Sequence, residues 1–316
     1  MHVLITGVTG FAGSYLAELL LDLDHEVYGL VHKDSSHQPC PDHKRFTAIT
    51  GNILLYREVQ EAFSMAKPDL VYHLAGQASP TRSWELPAQT IAINTGGTAN
   101  ILQAAQQYGR PRVVVVTSAQ IYGLSGVDSA IISEATLPAP VDPYAVSKWA
   151  AGQLVAAYHR RYQLPAIEAR PFNHIGPRQT QGFVVPDFAS QVASIKLGHR
   201  EPTIRVGNLT AQRDFTDVRD VAKAYWQIGQ SGQPGETYII SSSKAVAIST
   251  ILEMLIEIAG VDVIVEIDPL LVRPVDVNSV VGSYAKLNEQ TGWQPEIDLA
   301  QSLSDVYTEW LEKLSG

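Results

Sequence analysis

The sequence contains a single cysteine, Cys40, among its 316 residues. One cysteine can form neither an intramolecular disulfide framework nor a cysteine-rich metal site, so we expect no disulfide and no metal. No apolar run approaches the roughly 18–20 residues that a membrane-spanning helix needs. The first residues, 1–7, have the pattern of a strand and lack the charged start and long apolar stretch of a signal peptide. These features predict a cytoplasmic location and no contact with a membrane.

Acidic residues outnumber basic residues in this chain. There are 32 aspartates and glutamates and 23 lysines and arginines, which gives a formal net charge of −9. An acidic chain without basic tracts is a poor binder of nucleic acid, so we expect no nucleic-acid partner. If the ligand is an anion, the arginines that hold it must be gathered locally against the charge of the whole chain. The positions of individual arginines are therefore informative.

The first half of the chain alternates short β-branched runs with stretches whose apolar residues recur at helical spacing. This spacing predicts strands at 2–6, 26–31, 46–50, 69–74, 112–117 and 166–170, and helices at 12–23, 55–66, 88–108 and 144–162. Strands that are apolar almost throughout are buried on both faces, which is typical of a parallel sheet covered by helices. We therefore predict an α/β fold with a Rossmann-like, doubly wound parallel sheet.

A glycine-rich turn follows the first apolar strand directly and opens the first helix. It reads Gly7-Val8-Thr9-Gly10-Phe11-Ala12-Gly13. Glycines permit a tight turn and let the backbone approach a pyrophosphate, which then sits on the helix N-terminus. Turns of this kind are also made for packing alone. The place of this one between a strand and a helix favours a dinucleotide site.

The pattern becomes less regular after residue 171, where loops rich in Gly, Pro, Asn and Arg occupy 171–182 and 207–216. Apolar spacing predicts helices at 186–197, 217–230, 248–259 and 299–313, and short strands near 203–206, 236–241 and 263–267. We therefore predict a dinucleotide-binding domain over 1–170, with returns near 212–242. Residues 171–316 are predicted to form mainly a smaller, partly interleaved substrate-binding lobe.

The end of the second strand bears on the choice between NAD and NADP. Val31 stands where an acidic side chain would bind the ribose 2′-hydroxyl of NAD. His32, Lys33, Ser35 and Ser36 follow within five residues and could hold a 2′-phosphate, although a solvated polar loop would have the same composition. We therefore predict NADP(H) as the cofactor, with NAD(H) as the alternative.

Tyr144 and Lys148 lie four residues apart in a predicted helix that begins after Asp142-Pro143. Residues at this spacing share one helix face, so the phenol and the ammonium are expected to lie side by side. The ammonium should then lower the pKa of Tyr144 and suit it to proton exchange with a carbonyl or alcohol oxygen. The pair alone could be a solvated chance match. Ser118, at the end of a predicted strand, is placed to hydrogen-bond the same oxygen.

The glycine turn, the Ser118-x-x-x-Tyr122-Gly123 segment and the Tyr144-x-x-x-Lys148 pair make the chain resemble the extended short-chain dehydrogenase/reductase family over essentially its whole length. The resemblance implies an NAD(P)-dependent oxidoreductase in which Ser118, Tyr144 and Lys148 are catalytic. It also implies a homodimer that pairs the helices at 88–108 and 144–162.

The same resemblance assigns the cofactor site residue by residue. Asn52-Ile53 stands where an Asp-Ile pair often flanks the adenine, so an acidic contact is not expected there. The cofactor-binding residues that the resemblance and the strand ends imply are Gly7, Thr9, Gly10, Phe11, Ala12, Gly13, His32, Lys33, Asn52, Ile53, Leu74, Ala75, Gly76, Asn94, Tyr144 and Lys148.

Three segments of the second half, 170–179, 207–215 and 273–277, resemble the branch of this family that acts on GDP-sugars. An arginine suits phosphate because its planar fork makes paired, charge-assisted hydrogen bonds, although a surface salt bridge is the commonest fate of any arginine. The substrate-binding residues that the resemblance implies are Gln77, Ser118, Gln120, Asn173, Arg178, Val184, Asn208, Arg213, Arg273 and Asp276.

The two residues after Ser118 bear on the reaction. Dehydratases of this branch carry a glutamate two residues after the active-site Ser or Thr, where this chain has Gln120, preceded by Ala119. Neither side chain can shuttle a proton. The resemblance therefore implies that the C4 ketone of a GDP-4-dehydro-6-deoxy-sugar is reduced, with dehydration as the alternative.

Two other functions stay open. Epimerising relatives use a cysteine at the position of Gln120 together with a histidine, whereas Cys40 is far from that segment and His174 has no partner base. His174 is interpreted as a structural, hydrogen-bonded side chain, with catalysis as the alternative. A non-enzymatic, NADP-sensing binding protein is the other possibility, and the intact Ser118, Tyr144 and Lys148 argue against it.

Overall fold

The structure is a computed structural model that describes residues 1–33, 39–126, 131–271 and 279–316. Its strands, in chain order, are β1 His2–Thr6, β2 Glu26–Val31, β3 Phe46–Thr50, β4 Leu70–His73, β5 Arg112–Val116, β6 Ala166–Pro171, β7 Asn173–Ile175, β8 Thr203–Val206, β9 Gln212–Arg213, β10 Phe215–Asp217, β11 Thr237–Ile240, β12 Val246–Ala247, β13 Ile264–Ile267 and β14 Ser279–Val280. Four residues with predicted roles lie outside the described residues, namely Ser35, Ser36, Arg273 and Asp276.

The α-helices, in chain order, are α1 Phe11–Asp22, α2 Tyr56–Ala66, α3 Pro80–Glu85, α4 Pro87–Ile91, α5 Gly97–Gln107, α6 Pro143–Tyr162, α7 Val184–Lys196, α8 Val218–Ser231, α9 Ile248–Ala259, α10 Ala285–Thr291 and α11 Leu299–Ser315. A π-helical turn spans Ala92–Gly96, and 3-10 turns span Ala119–Gly126 and Pro269–Leu271. Among the helices of the described ranges, none combines the length and the apolar character that crossing a bilayer requires.

Seven strands form one parallel sheet in the order β11-β6-β5-β4-β1-β2-β3. β1 pairs with β2 on one side and with β4 on the other, where Thr6 lies opposite His73. The strand order therefore reverses between β1 and β4, and the crevice beyond their carboxyl ends is where such sheets bind ligands. This topology confirms the predicted Rossmann-like, doubly wound sheet.

Helices cover both faces of this sheet, because its strands carry apolar side chains on both faces. One face packs against α1 and α8, where Leu16 and Tyr225 are fully buried. The other face packs against α2, α5 and α6, through side chains that include Phe63, Ile101 and Val155. Each large apolar side chain withdrawn from water contributes about 1.5–3 kcal/mol. The two layers therefore hold the carboxyl ends of the strands in fixed relative positions.

A third core joins α7, α9 and α11 in the second half, through side chains that include Phe188, Leu255 and Leu303. Three small sheets lie in this half, formed by β7 with β10, by β12, β9 and β14, and by β8 with β13. The second half also adds β11 to the main sheet and packs α8 against it. The division of the chain at residue 170 stays a prediction.

One predicted helix differs from the structure at an informative place. The helix predicted over 88–108 is interrupted after Ile91 by the π-helical turn and resumes at Gly97. Gly97 lies so close to the side chain of Ile53 that a Cβ there would be 2.6 Å from its Cδ1. The other predicted helices and strands are present within two residues of their predicted ends, whereas six elements of two to six residues and one of seven were not predicted, namely α3, α10, β7, β9, β10, β12 and β14.

Candidate active site

The glycine turn between β1 and α1 is held by contacts that exclude side chains. Gly7 has a φ of +76°, and its carbonyl oxygen accepts the N–H of Gly10 at 2.9 Å. A Cβ on Gly7 would lie 2.7 Å from the backbone nitrogen of Ala75, and a Cβ on Gly13 would overlap the carbonyl oxygen of Gly7. Because Gly10 is the N-cap of α1 and has no side chain, it cannot cap the first amides of the helix. Those amides suit an anion.

The segment that follows β4 lies beside this turn. The N–H of Ala75 donates to Oγ1 of Thr6 at 3.2 Å. A Cβ on Gly76 would lie 2.8 Å from Oδ1 of Asn94 and 3.5 Å from Nζ of Lys148. The fold therefore brings together predicted cofactor residues from the ends of β1 and β4, from the π-helical turn and from α6.

Asn94 is buried in the π-helical turn and joins three segments. Its Oδ1 accepts the N–H of Gln77 at 2.8 Å, and its Nδ2 donates to the carbonyl oxygen of Gln77 at 3.1 Å. Nδ2 also donates to Oγ of Ser147 in α6 at 2.9 Å. π-Turns inside helices are rare and occur often at functional sites. The turn presents the predicted cofactor residue Asn94 and holds the backbone of the predicted substrate residue Gln77.

The three predicted catalytic side chains are buried and lie together beyond the carboxyl end of β5. Ser118 hydrogen-bonds with the hydroxyl of Tyr144. Nζ of Lys148 donates to the carbonyl oxygen of Val116 at 2.9 Å. α6, which carries Tyr144 and Lys148, begins after Asp142, whose carboxylate caps the helix. Local sequence signals thus place the serine, the phenol and the ammonium in one site.

Burial changes the pKa values of Tyr144 and Lys148 in ways that their spacing along the helix does not reveal. Desolvation raises the pKa of Tyr144 to about 12, against the opposing effect of its hydrogen bond with Ser118. Desolvation lowers the pKa of Lys148 to about 8, against the opposing effect of Glu168. The expectation of a lowered pKa for Tyr144 is therefore wrong in this structure, because burial of the phenol outweighs the groups that stabilise its anion. Near neutral pH, Tyr144 carries its proton and can donate it.

A buried ion pair beneath this site was missed by the sequence analysis. Nη2 of Arg170 donates to Oε2 of Glu168 at 2.7 Å, and less than a tenth of either side chain is exposed. Oε1 of Glu168 accepts from Oγ1 of Thr117, the residue before Ser118, at 2.6 Å. Arg170 also donates to the hydroxyl of Tyr122 at 2.6 Å. Two charged residues on one face of a strand predicted to be buried were the signal that could have revealed this pair.

His174 stacks against Phe11, with ring centroids 5.7 Å apart and planes 10° apart. Its Nδ1 donates to the carbonyl oxygen of Phe172 at 3.2 Å, and burial lowers its pKa. The contact joins the glycine turn to the predicted substrate segment. This arrangement supports the structural interpretation of His174.

Arg178 is held on α1. Its Nη1 donates to Oε1 of Glu18 at 2.6 Å, and its guanidinium lies 4.5 Å from the ring centroid of Tyr15. The hydroxyl of Tyr15 donates to the carbonyl oxygen of Pro177 at 2.9 Å. These contacts favour an anchoring role for Arg178 between the two halves over the substrate contact that the sequence predicts.

The other predicted substrate residues lie around the second lobe. Nδ2 of Asn173 donates to the carbonyl oxygen of Asp214 at 3.2 Å, and Val184 is the first residue of α7. Asn208 closes a turn with its own side chain, and the half-buried Arg213 donates to the carbonyl oxygen of the residue before it. Their roles toward a substrate stay predictions.

The predicted adenosine end of the cofactor site lies beyond β2 and β3. His32 and Lys33 are exposed immediately after β2. The N–H of Asn52 donates to Oε2 of Glu58 at 2.6 Å, and the buried side chain of Ile53 packs near Gly97. His32 and Lys33, at this exposed strand end, are side chains that suit the binding of a 2′-phosphate.

The doubly wound sheet, the glycine turn and the Ser118, Tyr144 and Lys148 side chains define an NAD(P)-dependent oxidoreductase of the extended short-chain dehydrogenase/reductase type. More narrowly, the chain belongs to the GDP-mannose 4,6 dehydratase family, whose model matches residues 4–306.

Individual relatives carry two different activities. The chain is 34% identical to the GDP-6-deoxy-D-mannose reductase of Pseudomonas aeruginosa, and the match covers 98% of this chain and 97% of the relative. It is 29% identical to a GDP-mannose 4,6-dehydratase of Vibrio cholerae, and that match covers 98% of this chain and 93% of the relative. The solved structure of RMD from Pseudomonas aeruginosa complexed with NADPH superimposes with a TM-score of 0.85, at 32% identity over 99% of this chain and 100% of the neighbour.

Proposed function

We propose that this protein is an NADPH-dependent reductase of the C4 ketone of GDP-4-dehydro-6-deoxy-D-mannose, with GDP-D-rhamnose as the product. The observation that carries the proposal is a buried Ser118, Tyr144 and Lys148 constellation that is followed in the chain by Ala119 and Gln120. Elimination of water needs an acid and a base beside the sugar, and these two residues supply neither. The similarity to a GDP-6-deoxy-D-mannose reductase supports the same reaction.

The glycine turn fits a dinucleotide, because the contacts of Gly7 and Gly13 leave no room for a Cβ and hold the tight turn before α1, whose first amides have no side-chain cap and suit a pyrophosphate. When bound, NADPH supplies the hydride. His32 and Lys33 would hold the 2′-phosphate, since both are exposed and Val31 offers no carboxylate for a 2′-hydroxyl. The neighbouring structure that was solved with NADPH supports NADP(H), with NAD(H) as the alternative.

The residues of the chain then perform the acid step. Tyr144 donates its phenolic proton to the oxygen of the substrate carbonyl as negative charge develops on it. Ser118, which hydrogen-bonds with the phenol, orients the same oxygen. Lys148, held by the carbonyl oxygen of Val116 and close to Gly76, would bind the nicotinamide ribose. Tyr144 carries its proton near neutral pH, which is the state that ketone reduction requires of a donor.

The GDP moiety would lie against the second lobe. Asn173, Val184, Asn208 and Arg213 belong to segments around this lobe, and Arg213 has the fork that pairs with a diphosphate. Gln77 and Gln120 lie nearer the sugar, on the segments fixed by Asn94 and Ser118. The resemblance implies that Arg273 contacts phosphate and Asp276 the guanosine ribose, and both residues lie outside the described part of the chain.

The deciding experiment supplies the purified chain with freshly made GDP-4-dehydro-6-deoxy-D-mannose and NADPH and follows the loss of NADPH absorbance. We expect stoichiometric oxidation of NADPH and a single reduced sugar nucleotide. The same protein is incubated in parallel with GDP-mannose and NADP. Conversion of GDP-mannose to the keto sugar, without oxidation of NADPH in the first assay, would support the dehydratase alternative, which the family match and the Vibrio cholerae relative favour.

Replacing Gly13 with alanine tests the dinucleotide site directly. The added methyl overlaps the carbonyl oxygen of Gly7, so the turn must open, and we expect the affinity for NADPH to fall by more than about tenfold, or 1.4 kcal/mol. Gly96→Ala is the control, because a Cβ there meets no atom within 4 Å and its φ of −65° is helical. Fluorescence titration of NADPH measures both. Equal affinities for the two variants would contradict a pyrophosphate on this turn.

We also propose a homodimer that is formed through α3, α4 and α6. α3 and α4 pack against α6, and together they expose Trp84, Ile91, Val146 and Trp149. Trp84 is 66% exposed, and clustered apolar side chains of this size are typical of protein interfaces. A second copy of this chain is the partner that the family resemblance implies.

Trp149→Glu is expected to convert the dimer to a monomer, because it places a charge among the apolar side chains of the shared face. Analytical ultracentrifugation gives the molecular mass. Ile264→Glu on β13 is the control, since Ile264 is 61% exposed on the second lobe and lies outside the proposed interface. A monomeric unmodified chain at assay concentrations would rule out the interface.

A further inference from the structure

His73 is the last residue of β4 and lies opposite Thr6, at the point where the strand order reverses. Only 2% of its surface is exposed, and both ring nitrogens have partners. Nδ1 lies 2.7 Å from Oγ1 of Thr6, and Nε2 lies 3.1 Å from Oγ1 of Thr98 in α5. Burial of a polar ring costs desolvation free energy. Its two directional hydrogen bonds therefore indicate that His73 does more than fill space.

The donors and acceptors around His73 can be assigned from its neighbours. The hydroxyl of Thr98 donates to the carbonyl oxygen of Asn94 at 2.6 Å, so its oxygen accepts from His73. Nε2 therefore carries the proton of the ring, and Nδ1 accepts the hydroxyl proton of Thr6. The oxygen of Thr6 in turn accepts the N–H of Ala75. The result is a one-way chain of hydrogen bonds from Ala75 to Asn94.

This chain connects the two sides of the proposed cofactor crevice. At one end, Thr6 precedes Gly7 and Ala75 lies beside the glycine turn. At the other end, Asn94 donates to Ser147, whose hydroxyl donates to the backbone carbonyl oxygen of Tyr144 at 2.7 Å. Hydrogen bonds in such a network reinforce one another in a low-dielectric interior. His73 is therefore connected through hydrogen bonds both to the segment beside the glycine turn and to α6.

Burial, together with the nearby charge of Lys148, lowers the pKa of His73 to about 3. The ring is therefore neutral near neutral pH, which agrees with the hydrogen-bond directions assigned from its neighbours.

We propose that His73, as its neutral Nε2–H tautomer, is a positioning residue that sets the spacing between the glycine turn and the Asn94 turn and thereby the affinity for the dinucleotide. The inference rests on the proposed function for the identity of the cofactor and concerns binding rather than the chemical step. Neither His73 nor Thr6 and Thr98 was among the predicted site residues, because the pairing of their side chains exists only in the folded sheet.

Matched substitutions at His73 and Thr98 separate the hydrogen bond of His73 with Thr98 from its hydrogen bond with Thr6. Glutamine extends an amide to the position of Nε2 and can still donate to Thr98, whereas leucine fills the volume without a polar atom. We expect His73→Leu to weaken NADPH binding by about tenfold and His73→Gln by less than about threefold. Thr98→Val should behave like His73→Leu, and Thr98→Ser, which keeps the hydroxyl, should bind as the unmodified chain does.

NADPH affinity is measured by fluorescence titration without substrate, and thermal unfolding is followed with and without NADPH. If His73→Leu does not fold, the Thr98→Val and Thr98→Ser pair decides the question. A residue with a merely structural role would lower the unfolding temperature while the folded protein kept its NADPH affinity, and that result would overturn the proposal. Loss of affinity in a chain that does not reduce the keto sugar would leave the proposal standing and refute only the proposed reaction.

Discussion

Replacing Tyr144 with phenylalanine is expected to lower kcat for the keto sugar by about 10²–10⁴-fold, the usual contribution of a positioned general acid. The substitution removes one hydroxyl from a buried site and leaves the ring, so NADPH affinity should change far less than kcat. Because the proton is transferred only in the transition state, kcat and kcat/KM should fall by the same factor. Single-turnover measurements with saturating NADPH isolate the chemical step.

Tyr225→Phe is the matched control for this variant. Tyr225 is also a fully buried phenol, and its hydroxyl finds no hydrogen-bond partner among the residues that the structure describes. Removing that hydroxyl leaves no partner unsatisfied, so activity should be retained. Full activity of Tyr144→Phe would remove Tyr144 as the proton donor. If the unmodified chain and the Tyr144→Phe variant both bind NADPH and neither turns over the keto sugar, the sensor alternative would be supported.

Replacing Glu168 with glutamine is expected to destabilise the fold by about 3–5 kcal/mol, because it leaves the buried guanidinium of Arg170 without its counter-charge. Glutamine has nearly the same shape as glutamate, so packing against Gly152 can persist. Its amide nitrogen cannot accept the hydrogen bonds that one carboxylate oxygen accepts from Arg170 and from Thr117 or Thr237, so the loss would report on the charge together with one lost acceptor. Urea unfolding, followed by circular dichroism, gives the difference in the free energy of unfolding.

The exposed ion pair between Arg57 and Glu61 in α2 supplies the control. Both side chains are more than half exposed, so Glu61→Gln should change stability by only about 0.5 kcal/mol. A second test replaces both buried partners with apolar side chains, as Glu168→Leu with Arg170→Met. The double variant should be more stable than Glu168→Leu alone, since no unpaired charge is left. Equal effects of Glu168→Gln and Glu61→Gln would show that the buried pair contributes no more than a surface pair.

Much of the fold could be predicted from the sequence because it depends on local periodicity. Strands buried on both faces are apolar at nearly every position, and helices on a sheet repeat their apolar residues at helical spacing, so both patterns are visible along the chain. The glycine turn is local in its spacing and in the contact of Gly13 with Gly7, whereas the contact of Gly7 with Ala75 comes from the segment after β4. Tyr144 and Lys148 could be paired because helix spacing places them on one face.

Other features depend on which segments meet in space. Arg178 was predicted to contact the substrate, and the fold adds an ion pair with Glu18, 160 positions away in the chain, that the sequence did not reveal. The π-helical turn at Asn94 interrupts a stretch whose composition is helical throughout, because its hydrogen bonds to Gln77 and Ser147 come from other elements. No window of sequence contains these partners.

By itself, the sequence determined the class of fold, the glycine turn and the three side chains of the candidate active site, since each follows from backbone geometry and spacing within one element. Only the tertiary structure decided how the pKa values of those side chains are shifted. The pKa of Tyr144 is raised because the surrounding elements exclude water from it, and that of Lys148 is lowered for the same reason. Desolvation and long-range pairing are properties of the assembled core, so the directions of these shifts could be read only after the fold was known.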